Sequence, residues 1–147
     1  MKAAILLGLG MILLGVLIAL ELHRQQTMTA ALPPIHAIAR ADVDALLRNN
    51  RNACLVLGTG SMAPAIRAGG EREVVAVVIY DNRDFATLGK GQLVLFDRIG
   101  QLIVHQLAQL DGSGWITSGS ANDGYDSGRV TRYNFHGAVT EIYNIIP

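Results

Sequence analysis

The sequence is poor in the residues that several kinds of functional site require. It has one cysteine, Cys54, so no disulfide can form within the chain, and we expect this residue to pack as a small apolar side chain. No pair of histidines, cysteines or carboxylates has the spacing of metal ligands, so we expect neither a metal nor a cofactor. Twelve basic and twelve acidic residues balance without a basic patch, which argues against a nucleic-acid partner.

A long uncharged run dominates the N-terminus. The eighteen residues 3–20 carry no charge, and this length is enough to span a bilayer as a helix. We therefore expect residues 1–24 to be a membrane anchor with the bilayer as partner. The alternative is a secretory signal peptide cut at Thr29-Ala30-Ala31, but this site lies eleven residues beyond the run. Arginines after the run would favour a cytoplasmic location for the rest of the chain.

Residues 25–51 are predicted to be a linker followed by a short helix. Pro33 and Pro34 favour an extended chain over residues 25–39. Asp42 can cap a helix over residues 43–48, whose apolar face would pack against the domain rather than on a membrane surface.

The remaining residues, 52–147, are predicted to form one mainly β domain. Short runs rich in β-branched and aromatic residues alternate with turns that contain glycine, asparagine and aspartate. Several runs are apolar on both faces, which predicts a small, coiled, barrel-like sheet. The predicted strands are residues 55–57, 74–80, 92–96, 102–107, 115–117 and 139–145.

One loop presents a serine between glycines and a proline turn. Residues 58–66 read Gly-Thr-Gly-Ser-Met-Ala-Pro-Ala-Ile, and Ser61 is the candidate nucleophile. Serine needs a base within hydrogen-bond reach and donors for an oxyanion. His105 lies in the apolar run 102–107 and is the candidate base, although a histidine on an apolar strand is by default a core residue. Lys2 and Lys90, the only lysines, lie in the membrane flank and in a glycine turn, so neither suits a buried base.

The pattern G-x-G-S-M-x-P-x-I resembles the nucleophile box of type I signal peptidases and of the related self-cleaving SOS repressors. The resemblance implies a serine endopeptidase with its catalytic domain outside the cytoplasm. It also implies that Thr59 helps to hold the oxyanion and that Met62 packs under the loop and contacts substrate. His105 stands where the endoplasmic-reticulum and archaeal enzymes have a histidine base. Thr59 could instead simply bond within its own loop.

Three positions depart from the family pattern. Gln92 replaces the aspartate of a Gly-Asp pair, Gln106 replaces the arginine after the base, and Ser120 replaces the first aspartate of the acidic box. By position in that box, Asp126 is favoured over Asp123 as the residue that orients His105. The alternative is that this stretch is a glycine-rich loop with two solvated carboxylates.

The sequence therefore predicts a single-pass membrane peptidase that cuts an extended peptide or preprotein near small residues. The substrate would add as a strand beside Leu55 and Leu57 and beside the strand that carries Val104 and His105, with Met62 also in contact. One alternative is an inactive, membrane-tethered module of the same fold that binds peptides. The other is a self-cleaving repressor-type peptidase, which would need a lysine base and no anchor.

Overall fold

The computed structural model describes residues 14–20, 30–70, 72–112 and 114–146, and this part of the chain is mainly β, as predicted. From residue 30 onward, two short 3-10 turns, Arg40–Asp42 and Phe85–Thr87, and the helix α1 (Val43–Asn49) accompany the strands. The strands are β1 (Ile35–Ala39), β2 (Ala53–Leu57), β3 (Val74–Asp81), β4 (Leu93–Arg98), β5 (Gln101–Asp111), β6 (Gly114–Ser118), β7 (Arg129–Val130) and β8 (Phe135–Ile146).

One sheet contains all eight strands: seven follow the order β2-β3-β8-β4-β5-β6-β7, and β1 pairs with β8 outside this order. The long strand β8 lies at its centre: β3 pairs with one edge, and β4 pairs with the start of the other edge. All these pairings are antiparallel, whereas β1 runs parallel to the end of β8, with Ile35 opposite Ile142 and Ala39 opposite Ile146. Among the described strands β2 and β7 each pair on one side only, so the backbone pairing does not close into a complete barrel.

The core lies on both faces of the central strands. The side chains of Val75 to Val78 in β3 are all completely buried, which explains why this strand has no polar face. One buried cluster joins β3, β4 and β8 to the loop after β2, and includes Met62 and Ile66. A second cluster lies between β4, β5 and β6 around Trp115. The sheet therefore packs directly beneath the serine-bearing loop.

Part of the segment before β2 that was predicted as a linker is a strand of the sheet. Ile35–Ala39, predicted as linker, forms β1, because the last part of β8 offers a free edge whose backbone groups need partners. Helix α1 begins at Val43 as predicted, and Val43 packs against Val77 and Ile145. The predicted cap is wrong: the Asp42 side chain makes no capping hydrogen bond, because Asp42 already lies in the 3-10 turn with αR backbone angles.

Of the predicted anchor, the structure describes residues 14–20, which are helical and expose large apolar side chains such as Leu14 and Leu17. In the ranges described, none of the helices is both long and apolar enough to cross a membrane. The rest of the predicted anchor, residues 1–13 and 21–24, and Thr29 of the alternative cleavage site lie outside the described residues.

Candidate active site

The loop that carries Ser61 connects β2 to β3, and its two ends are held together. The Gly69 N–H donates to the Gly58 carbonyl at 2.9 Å, and a Cβ at residue 58 would lie only 2.6 Å from Val75 Cγ1. Gly60 has a φ of +82°, a backbone conformation that glycine adopts without strain. These glycines are therefore needed for the tight path of the chain just before Ser61.

The far side of the same loop is fixed to the sheet. Met62, Ala65 and Ile66 are buried in the core, so the loop is anchored by apolar packing. From β8, the Asn144 side chain donates to the Ala65 carbonyl at 3.0 Å and accepts from the Arg67 N–H at 3.0 Å. Because the chain is held both before and after Ser61, the position of this serine at the surface of the loop is fixed.

His105 reaches Ser61 from β5. The His105 Nε2 atom lies 3.1 Å from Ser61 Oγ, although the two residues are 44 positions apart in the sequence. His105 is buried, with 8% of its surface exposed, and it is paired with Val94 of β4. The strand pairing and the anchored loop therefore bring together the two residues that the sequence nominated as nucleophile and base.

Asp126 completes the cluster from the other side of the ring. Its Oδ2 atom lies 2.5 Å from His105 Nδ1, and its N–H donates to the Thr117 carbonyl at 2.8 Å. Asp126 thus returns from the loop after β6 to lie beside β5. The structure brings Asp126 to the histidine, whereas Asp123 is exposed and, among the described residues, makes no hydrogen bond to it.

This order of groups defines the protonation state that the histidine needs in order to act as a base. A carboxylate at Nδ1 accepts the ring N–H, which leaves the Nε2 lone pair directed at the serine hydroxyl. The arrangement can remove the Ser61 proton and stabilise the imidazolium that results. The same three roles in the same order occur in serine hydrolases of unrelated folds.

Two groups beside Ser61 Oγ are candidates to hold an oxyanion. Thr59 Oγ1 is 3.2 Å from Ser61 Oγ. When Ser61 Oγ bonds to a carbonyl carbon, the Thr59 hydroxyl would be close enough to donate to the oxygen on that carbon. The Ser61 N–H donates to no acceptor among the residues that the structure describes. The alternative, that Thr59 simply forms a hydrogen bond within its own loop, also fits, because its partner Ser61 belongs to that loop.

Sequence reasoning missed two contacts that hold the cluster together. Thr117, which is fully buried in β6, donates its hydroxyl to Asp126 Oδ2 at 2.6 Å. At Gly119, a Cβ would lie 2.4 Å from the Ser61 carbonyl oxygen. A threonine directly after the apolar pair Trp115-Ile116 was the available signal for the first. The second depends on contact between two loops and has no local signal.

A groove of about 570 Å³ opens beside Ser61, between β2 and the first half of β5. Both walls are free strand edges: in the described sheet β2 pairs only with β3, and residues 101–105 of β5 pair only with β4. The four predicted substrate-binding residues all line it. Leu55 and Leu57 are about half exposed, while Val104 and Met62 are buried in its floor.

Cys54 also lines this groove, where burial raises the pKa of its thiol. The shift favours the neutral thiol near pH 7, so the residue is a poor second nucleophile. Within the described ranges, no three histidine, cysteine, aspartate or glutamate side chains are grouped so that they could hold a metal ion.

The positions that depart from the family pattern carry neutral hydrogen bonds. The Gln106 side chain donates to the Gly91 carbonyl at 2.9 Å, and the Gln92 side chain accepts from the Gly89 N–H at 2.8 Å. The Ser120 hydroxyl donates to the Ala63 carbonyl at 3.1 Å. Gln106 thus ties β5 to the turn before β4, Gln92 closes that turn on itself, and Ser120 ties the loop after β6 to the loop that carries Ser61.

Comparison with known proteins adds no further assignment: no protein-family model, no curated protein and no solved structure matches this chain.

Proposed function

We propose that this protein is a serine endopeptidase of the signal-peptidase type. One observation carries the proposal: Ser61, His105 and Asp126 form a continuous chain of hydrogen bonds, 3.1 Å and 2.5 Å long, at the mouth of the groove. A buried histidine that served only the core would not need a serine on one nitrogen and a carboxylate on the other. The glycines and the anchored turn also present Ser61 toward the groove.

In the proposed reaction, Ser61 Oγ bonds to the scissile carbonyl carbon as His105 Nε2 takes the hydroxyl proton. The carbonyl oxygen becomes an oxyanion held by the Ser61 N–H and the Thr59 hydroxyl. The tetrahedral intermediate collapses with cleavage of the C–N bond, and the imidazolium gives its proton to the leaving amine. A water then loses a proton to His105 and attacks the ester carbon. The bond between that carbon and Ser61 Oγ breaks, the imidazolium returns its proton to Oγ, and the new carboxylate leaves.

The substrate would be an extended peptide held mainly through its backbone. Free N–H and C=O groups on β2 and on residues 101–105 of β5 can pair with a strand inserted between them. The resemblance to signal peptidases leads us to propose small residues such as alanine next to the cleaved bond. Met62 and Val104, in the floor of the groove, would contact their side chains.

We also propose that residues 3–20 anchor the protein in a membrane, with the peptidase domain outside the cytoplasm. The support is the uncharged length of this run, since an apolar stretch of about 18 residues or more suffices to span a bilayer. Carbonate extraction of membranes with the full-length chain tests the anchor. If the protein is extracted, or if its N-terminus is found at Leu32, a cleaved signal peptide replaces the anchor.

Peptidase activity can be tested before the natural substrate is known. Full-length protein in detergent is incubated with a library of extended peptides, and products are identified by mass spectrometry for the wild type and for Ser61→Ala. The proposal predicts products that require Ser61, and fluorophosphonate labelling at Ser61. Peptide binding without cleavage or labelling would contradict it and would favour the inactive binding module of the same fold.

A further inference from the structure

Thr117 contacts the candidate triad but none of the atoms that would react. Its hydroxyl donates to Asp126 Oδ2 at 2.6 Å, and its carbonyl accepts from the Asp126 N–H at 2.8 Å. One residue of β6 therefore holds both the backbone and the side chain of Asp126. The residue is completely buried, so water cannot replace the hydroxyl as a donor.

The two donors converge on a single carboxylate oxygen. Asp126 Oδ2 accepts from Thr117 Oγ1 and lies 2.5 Å from His105 Nδ1. With both donors in place the carboxylate cannot rotate without losing one charge-assisted hydrogen bond. The Thr117 contact thus fixes the direction from which the carboxylate approaches the ring, and through the ring it fixes the aim of Nε2 at Ser61.

We propose that Thr117 is a positioning residue of the peptidase, and that its hydroxyl holds Asp126 so that His105 keeps Nε2 directed at Ser61. This inference rests on the proposed function, because a positioning role needs a reaction to serve. It adds a further side chain to the four that the sequence nominated, Ser61, His105, Asp126 and Thr59. Thr117 is not a catalytic residue, since it does not line the groove beside Ser61 and its hydroxyl bonds, among the described residues, only to Asp126.

A purely structural role for Thr117 can be separated from this one. Valine has nearly the same shape and suits a buried strand, so Thr117→Val keeps the packing while it removes the donor. Serine keeps the donor and removes only a methyl group. Thr140 offers a matched control, because it too lies in a strand, β8, and donates a hydrogen bond from its hydroxyl. Its acceptor, however, is the Ile79 carbonyl, at 3.2 Å, which is not part of the site.

The test compares Thr117→Val, Thr117→Ser and Thr140→Val with the wild type, with a peptide found by the cleavage screen as substrate. We expect Thr117→Val to lower kcat about ten-fold with KM unchanged, as for loss of one hydrogen bond to a charged group. Thr117→Ser should restore most of kcat, and Thr140→Val should match the wild type.

A second readout does not depend on turnover. The ring nitrogen signals of His105, assigned in NMR spectra by their loss in His105→Ala, should show more of the tautomer protonated at Nε2 in Thr117→Val than in the wild type, because a displaced carboxylate no longer holds the proton at Nδ1. If the wild type cuts no peptide, the proposed function fails, and an unchanged His105 tautomer would show separately that Thr117 does not act on the ring. Wild-type kcat and an unchanged tautomer in Thr117→Val, or a loss explained entirely by a lower melting temperature, would overturn the inference.

Discussion

Gly119 lies directly against the backbone of Ser61: a Cβ at residue 119 would be 2.4 Å from the Ser61 carbonyl oxygen and 2.9 Å from the Ser61 Cβ. Two residues further on, the Ala121 N–H donates to the same carbonyl oxygen at 3.0 Å. The loop that delivers Asp126 therefore packs on the loop that delivers Ser61. The spacing of nucleophile, base and acid is set by this contact as well as by the strands.

A methyl group at this contact should displace Ser61. We expect Gly119→Ala to reduce the rate of fluorophosphonate labelling at Ser61 at least about ten-fold, because a shift of about 1 Å in a reacting group is costly. Gly124 lies in the same loop with open space around its Cα, so Gly124→Ala is the matched control and should label normally. Equal labelling of the two variants would show that the tight contact does not position the serine.

Asp126 and Asp123 should differ sharply although they are three residues apart. Asp126→Asn replaces the acceptor at His105 Nδ1 with a group that can donate there, which favours the wrong ring tautomer. We expect kcat to fall about 100-fold or more, though less than in Ser61→Ala or His105→Ala. Asp123→Asn, an exposed change in the same loop, should stay within about two-fold of the wild type. Peptide cleavage rates measure both, and a larger loss in Asp123→Asn would assign the orienting carboxylate to that residue.

The ion pair of Glu73 with Arg67, at the end of the loop that carries Ser61, should make the stability of the protein depend on pH. Hydrogen bonds from the Arg67 guanidinium and from the Gly70 N–H lower the pKa of this carboxyl in the folded protein. The pair therefore stabilises the fold above about pH 4.3, the ordinary glutamate value, and this stabilisation disappears as the pH falls through the lower folded pKa. Glu73→Gln should melt at a lower temperature than the wild type at pH 7, and at the same temperature in acid below the folded pKa of Glu73.

Asp42→Asn is the control for that melting experiment, because Asp42 is an exposed carboxylate that makes no capping hydrogen bond. It should follow the wild type at both pH values. A difference between Glu73→Gln and the wild type that persists at the acidic pH would show that the mutation acts through packing rather than through the ion pair.

Backbone pairing in the groove predicts the response to altered peptides. N-methylation of single residues in a cleaved peptide removes one N–H donor at a time without a change of side chain. Successive N–H groups of a strand point to opposite sides, one toward β2 and the next toward β5, so cleavage should fall at each methylated residue of the bound segment and stay normal outside it. Kinetic measurements on such a series test the strand geometry. Losses confined to alternate residues, or to the residue at the cleaved bond, would contradict pairing with both edges.

The strands and the serine–histidine pair could be predicted because their signals are local. The run 74–80 is apolar and β-branched throughout, and the structure makes it β3, buried on both faces. By contrast, β1 depends on a free edge of β8 more than a hundred residues away, and β7 is only two residues long. Neither strand has a sequence pattern of its own strong enough to reveal it.

The supporting contacts of the site depend on packing between loops. Asp126 could be preferred over Asp123 only by its position in a motif, and its distance to His105 follows from the path of the loop after β6. Thr117 and Gly119 gain their importance from atoms that fold against them, Asp126 Oδ2 and the Ser61 carbonyl. Sequence alone offers only a threonine in an apolar strand and one glycine among several.

The most direct test of the account is a double-mutant cycle on Ser61 and His105. The kcat/KM for a cleaved peptide is measured for the wild type, Ser61→Ala, His105→Ala and the double variant. Because the two side chains act as one unit through the 3.1 Å hydrogen bond, each single change should lower kcat/KM by about 10³-fold or more, and the double change should cost little beyond either. Near wild-type cleavage by His105→Ala, or losses that multiply in the double variant, would contradict the mechanism.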